Sequence, residues 1–196
     1  MNFDKLKIES IAKKETLEDV KPSVYSNLEG DFTEWLINKE EIPEEFWNKI
    51  KDANEEENLK LMLLRIKEEL FSLYGNKKDK ADSFEDSRFT PLKEMIDRGM
   101  VSCGAMAKIT GTSLRKFGIP TKFIHGIFES QKNNFIKRKL LKNRHSWLEI
   151  YDPKDKKWIP FDMTRNDLSV DPTAEKIKEY HDWDELKESD YKKGNY

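Results

Sequence analysis

Arg98-Gly99-Met100-Val101-Ser102-Cys103-Gly104-Ala105-Met106-Ala107 opens the stretch on which the reading of this chain turns. From Cys103 the pattern is helical: Met106, Ile109, Ser113, Leu114 and Phe117 recur on one face. Gly104, Ala105, Ala107 and Gly111 keep that helix slim enough to lie close on a neighbouring layer, most simply a sheet. Arg115 and Lys116 fall in its last turn, and Gly118 then Pro120 end it. Lys122 to Phe128 alternates as a strand. His145 to Tyr151 and Lys157 to Phe161 read as two more, joined by the turn-forming run Asp152-Pro153-Lys154-Asp155-Lys156. A central helix packed on a small antiparallel sheet is an α+β arrangement.

The same stretch carries a candidate chemistry. Cys103 is the only cysteine, and it stands where the helix begins. A thiol attacks a carbonyl as thiolate, and a free cysteine, with a pKa near ~8.5, is mostly protonated at neutral pH. A helix N-terminus favours the anion, and a neighbouring imidazole can take the proton. His145 opens the first strand of the hairpin and Asp162 follows the second, so antiparallel pairing brings both to its open end. A carboxylate on the far ring nitrogen would hold the imidazole in one orientation. The backbone N–H of Cys103 would serve the oxyanion. Each residue also has a plainer reading. Cys103 can be a small buried hydrophobe, His145 an ordinary strand residue, and Asp162 the cap of the turn holding Met163 and Thr164. His125, in mid-strand with no acid at matching register, is a second candidate base, and His181 a bystander in a terminal helix.

Outward from this stretch the chain is helical on its N-terminal side. Asp31 caps a pattern through Phe32, Trp35 and Leu36; Pro43 begins another with Phe46, Trp47 and Ile50. Asn54 to Tyr74 is the strongest helix, with Leu59, Met62, Leu63, Ile66, Leu70 and Leu73 in one stripe and Glu55 to Glu57 in its first turn. Asn76 to Arg88 is a charged linker, and Thr90-Pro91 starts a short helix that ends at Gly99. Gln131 to Arg144 is a basic connection whose Lys137 to Arg144 run would steer acidic substrates or simply be solvated. Thr173 to Lys187 reads as a terminal helix. The expected organisation is a single domain, 1–196. Within it, 1–75 is an N-terminal helical part, 84–170 the catalytic core, and 171–196 a C-terminal helix and tail.

Composition sets the outer bounds. Charged residues make up 38% and the net charge is -2, with the signs interspersed, so no nucleic-acid or membrane partner is expected. An aromatic fraction of 11% speaks against disorder. A lone cysteine excludes an internal disulfide and a Cys-rich zinc module. The N-terminus lacks the apolar segment of a signal peptide, so a reducing, cytoplasmic location is expected, where a thiol stays available.

Two strings are specific when taken together: Leu114-Arg115-Lys116-Phe117-Gly118-Ile119-Pro120, and His145-Ser146-Trp147-Leu148-Glu149-Ile150-Tyr151. With Gly99 before Cys103, and Trp158-Ile159-Pro160-Phe161-Asp162 after them, this pattern resembles the transglutaminase-like superfamily over roughly residues 90 to 166. The resemblance implies a papain-like core with added N-terminal helices. It implies Cys103 as nucleophile, His145 as base and Asp162 as orienting acid, with Trp147 beside the site as a substrate-binding aromatic; Trp158 is assigned to the core. Met100-Val101-Ser102 and Met163 replace a glycine nearer the cysteine and a proline after the aspartate that are frequent in the family. No metal or other cofactor is expected: the cysteines of the zinc-bearing glycanases are absent, and calcium has no support in the matched stretch. The expected function is cysteine-dependent amide hydrolysis or acyl transfer through a thioester, most simply by a protease on a protein or peptide. The alternative is an inactive binding module on the same fold.

Overall fold

A computed structural model describes residues 17–75, 90–128, 144–170 and 174–180. Among the described residues five α-helices come first: α1 (Thr33–Leu36), α2 (Glu44–Ile50), α3 (Leu59–Gly75), α4 (Leu92–Arg98) and α5 (Cys103–Lys116). Four strands follow: β1 (Thr121–Phe128), β2 (Arg144–Asp152), β3 (Lys157–Phe161) and β4 (Ala174–Tyr180). They form one antiparallel sheet in the order β3-β2-β1-β4. The expected α+β fold is the one observed.

The helix α5 lies on the sheet because Gly111 lets it. A Cβ there would come 2.4 Å from the Phe123 ring of β1 and 3.1 Å from Leu148 of β2. Arg115 then seals the helix to the strand that follows. Its Nε and Nη2 donate to the Thr121 carbonyl at 3.1 and 2.6 Å, Nη1 donates to the Ile37 carbonyl at 2.7 Å, and the guanidinium lies over Phe123. Planar, fork-like donors suit this three-way contact in a way an ammonium does not. Gly118 makes the reversal at φ 81°, a conformation glycine adopts without strain.

The helix α3 begins later than its periodicity suggests. Residues Lys51–Glu55 form a 3-10 turn, and the Asn58 side chain accepts from the Leu61 N–H at 3.0 Å, an N-terminal cap. Glu55 to Glu57 therefore precede the helix. Leu59, Met62, Leu63, Ile66 and Leu70 are all at most 2% exposed and join one core with Phe46, Met95, Met106, Ile109, Phe161 and Leu168. The N-terminal helices thus share the core of α5 and the sheet.

Two expectations are corrected. Ala174 to Tyr180 is a strand, not the beginning of a helix. Its residues favour a helix by propensity, but β1 needs a partner on its second edge, and tertiary pairing overrides propensity. Ion pairs reinforce the strand: Lys122 with Glu179 at 2.8 Å and Lys176 with Glu149 at 3.0 Å. Trp158 lies outside the core, half-exposed on the sheet's other face, where Lys122 sits 4.1 Å over its ring and 4.7 Å over that of Trp35. The Asn76 to Arg88 linker, His181, the remainder of the expected terminal helix and nearly all of the basic connection lie outside the described residues.

Candidate active site

Ser102 starts α5 by adopting extended backbone and accepting the Ala105 N–H on its hydroxyl at 3.3 Å. Cys103 is therefore the first helical residue, half-buried, on a turn whose leading N–H groups have no partner within the helix. In the sheet, Gly126 pairs with His145. Strand β3 ends with Phe161 opposite Leu148, so Asp162 falls level with Trp147, two residues along β2 from His145. Alternation along β2 puts His145 and Trp147 on one side.

The structure brings Cys103, His145 and Asp162 together. His145 Nε2 lies 2.6 Å from Asp162 Oδ2, and the ring is also hydrogen-bonded to Cys103. With Nε2 occupied by the carboxylate, Nδ1 is the nitrogen left for sulfur. Burial works against the charged ring, but the hydrogen bonds and charges of Asp162 and Cys103 outweigh it and raise the His145 pKa from 6.5 to about 9. Asp162, 2% exposed, is likewise disfavoured as an anion by burial, yet its bonds to His145 and Thr164 and the charge of His145 bring its pKa below the ordinary value. An imidazolium held by a carboxylate beside a thiol is the charge pattern a thiol nucleophile needs.

The two oxygens of Asp162 have separate partners. Oδ2 meets the histidine, while Oδ1 accepts the Thr164 N–H at 2.9 Å and its hydroxyl at 2.7 Å, capping the turn. Asp162 and Thr164 have the Asp-x-Thr spacing of a side-chain-capped turn. Trp147 is 4% exposed, its ring stacked on that of His145 with centroids 6.5 Å apart. His125 is buried elsewhere on β1, its Nδ1 3.2 Å from the Ser146 hydroxyl. Among the described residues no group of three His, Cys, Asp or Glu side chains is placed to hold a metal ion. Nor is any described helix long and apolar enough to cross a membrane.

Comparison with known proteins bears on the family and the fold. The family model of the transglutaminase-like superfamily matches residues 48–163. The match starts inside α2 and takes in α3, which the motif-borne resemblance over residues 90 to 166 leaves out. Among solved structures, a Cytophaga hutchinsonii protein proposed to be a cysteine protease superposes with a TM-score of 0.56 at 21% identity, over 85% of this chain. The present chain spans about half of that structure, 51% of its length. No curated protein matches the chain in sequence.

Proposed function

The chain belongs to the transglutaminase-like superfamily, and on that premise we propose that it is a cysteine hydrolase or acyltransferase acting on amide bonds, with a protein or peptide as substrate. Cys103 is the nucleophile, His145 the acid–base group and Asp162 the carboxylate that orients it. The observation that carries the reading is the doubly bonded imidazole, tied to Asp162 at 2.6 Å on one side and to Cys103 on the other.

The chemistry follows from the proton's location. With a pKa of about 9, the ring of His145 holds the proton at neutral pH. The Cys103 sulfur attacks the amide carbon, and the resulting oxyanion is met by backbone N–H groups of the first turn of α5. The amine leaves with the proton from His145, giving a thioester and a neutral ring. Water or a second amine then adds, His145 takes its proton, and the acyl product leaves sulfur. Asp162 stays ionised throughout, and its bond to Nε2 keeps Nδ1 toward sulfur. Trp147, stacked on the ring, limits its rotation and offers a substrate no more than an edge.

Labelling with iodoacetamide tests the reading directly. At pH 6 to 7 Cys103 is expected to alkylate much faster than a simple thiol, and His145→Ala to abolish the excess rate. Incubation with amide and ester acyl donors should then leave a thioester adduct, seen by intact mass and absent from Cys103→Ser. Labelling at the rate of an ordinary thiol, unchanged by His145→Ala, would make the chain a binding module on this fold.

A further inference from the structure

Of the two lysines on α3, Lys60 pairs with Glu18 at the surface, whereas Lys67 is 7% exposed. A buried ammonium is unfavourable unless something is arranged to receive it. Here Nζ donates to the Arg165 carbonyl at 2.6 Å, with the Phe71 ring 5.7 Å away. Arg165 lies midway along the loop that starts with Asp162. That loop closes on itself: Asp162 N–H donates to the Leu168 carbonyl at 2.9 Å, and Arg165 N–H to the Asp162 carbonyl at 3.2 Å. It is not a shape its residues choose locally. Leu168 has φ 58°, in the left-handed region a leucine seldom enters, and is 1% exposed in the core. The Arg165 carbonyl also accepts the Leu168 N–H at 3.3 Å, so Lys67 reaches the loop from outside at a point where its own backbone bonds converge.

We propose that Lys67 is a positioning residue for the Cys103–His145–Asp162 centre: from α3 it grips the Asp162 loop at its middle and so fixes the carboxylate against the imidazole. The inference rests on the catalytic reading above and adds a group from the N-terminal helical part to it. A packing role alone would be met by an apolar side chain, since Leu64 and Phe71 border the same groove. A cationic donor does more: it holds a backbone carbonyl of the acid's own loop through a charge-assisted hydrogen bond.

The test uses the labelling rate of Cys103 at pH 6 in the full chain. Lys67→Met removes the donor while keeping length, and is expected to slow labelling about tenfold or more; Lys67→Arg, which keeps a cationic donor, restores it to within about threefold. Because Lys67 acts through Asp162, adding Lys67→Met to Asp162→Ala should slow labelling by less than about twofold further. A packing effect would slow both backgrounds equally. Should Lys67→Met not fold, Lys67→Gln, polar but too short to reach the carbonyl, takes its place. Wild-type labelling in the folded variant, or equal slowing in both backgrounds, overturns the proposal while leaving the triad reading intact. Slow labelling of the wild type itself would instead defeat the triad reading.

Discussion

At His145 the balance of burial against its partners Asp162 and Cys103 sets a pH dependence for the whole fold. Its pKa is about 9 in the folded chain against an ordinary 6.5. The charged ring therefore stabilises the fold fully below pH 6.5, and that contribution disappears as pH rises through 9. The gap corresponds to roughly 3 kcal/mol. Asp162 acts in the opposite sense: its pKa is lowered from 3.8, so its contribution is present above that value and lost in acid. Urea titrations at pH 6 and pH 9.5 should show the wild type losing roughly 3 kcal/mol more than His145→Gln across that interval. Equal losses would mean the ring does not carry its proton in the native state. The three residues of this centre were legible because each belongs to a chemical type with a known division of labour, and because a hairpin brings strand ends together. Thr164 was legible only as a member of the turn that Asp162 caps, and Lys67 was not legible at all. Both act through backbone geometry around the Asp162 loop, and a lysine inside an amphipathic helix looks like a surface residue until its partner, 98 positions away, is placed.

Among the elements, α5 matters most, and Gly111 is its narrowest point. Ordinarily Gly→Ala inside a helix gains up to ~1 kcal/mol. Here the added methyl would sit 2.4 Å from Phe123 Cε1 and 2.8 Å from Cζ. That ring cannot swing away, because it is 2% exposed and Arg115 lies 4.6 Å over it, tied at three nitrogens to backbone carbonyls. The helix must lift from the sheet instead. Gly111→Ala is expected to destabilise by about 1–3 kcal/mol and to slow Cys103 labelling, since the sulfur rides on the same helix as it moves from His145. A stabilised Gly111→Ala chain would show that the helix–sheet contact is soft. The small residues of α5 announced this contact in the sequence. The opposite case is β4, where Ala174, Glu175, Lys176 and Lys178 have helical preferences and the deciding influence is the open edge of β1. No local pattern records that edge.

On the scale of the molecule, the N-terminal helices are part of one core rather than an appendage. The sequence showed their apolar stripes but not the surface that receives them, which is why the resemblance seemed confined to the later stretch. Phe46 and Ile50 of α2 and Met62, Leu63 and Ile66 of α3 are at most 2% exposed, and they share a core with Met95 of α4 and Met106 of α5. Polar ties run the same way. Lys108, 5% exposed on α5, forms an ion pair with Glu40 and donates to the Thr90 carbonyl at 3.1 Å; Glu40 also accepts from the Leu92 N–H. Asn38 donates to the Thr112 carbonyl at 3.0 Å. A chain begun at Asn76 would leave the Lys108 ammonium without its carboxylate. The apolar faces of α4 and α5 would also open to water. Domains of this size have only about 5–15 kcal/mol in hand, so the shortened chain should show no cooperative urea transition and should bind a hydrophobic dye. Glu40→Ala is the graded version: it removes the same partner, leaves every apolar contact, and should lower stability by roughly 3 kcal/mol with an unchanged denaturant slope. A shortened chain that unfolds cooperatively at the full-length midpoint would mean that α5 and the sheet stand on their own, and that α3 then cannot be what holds the acid loop.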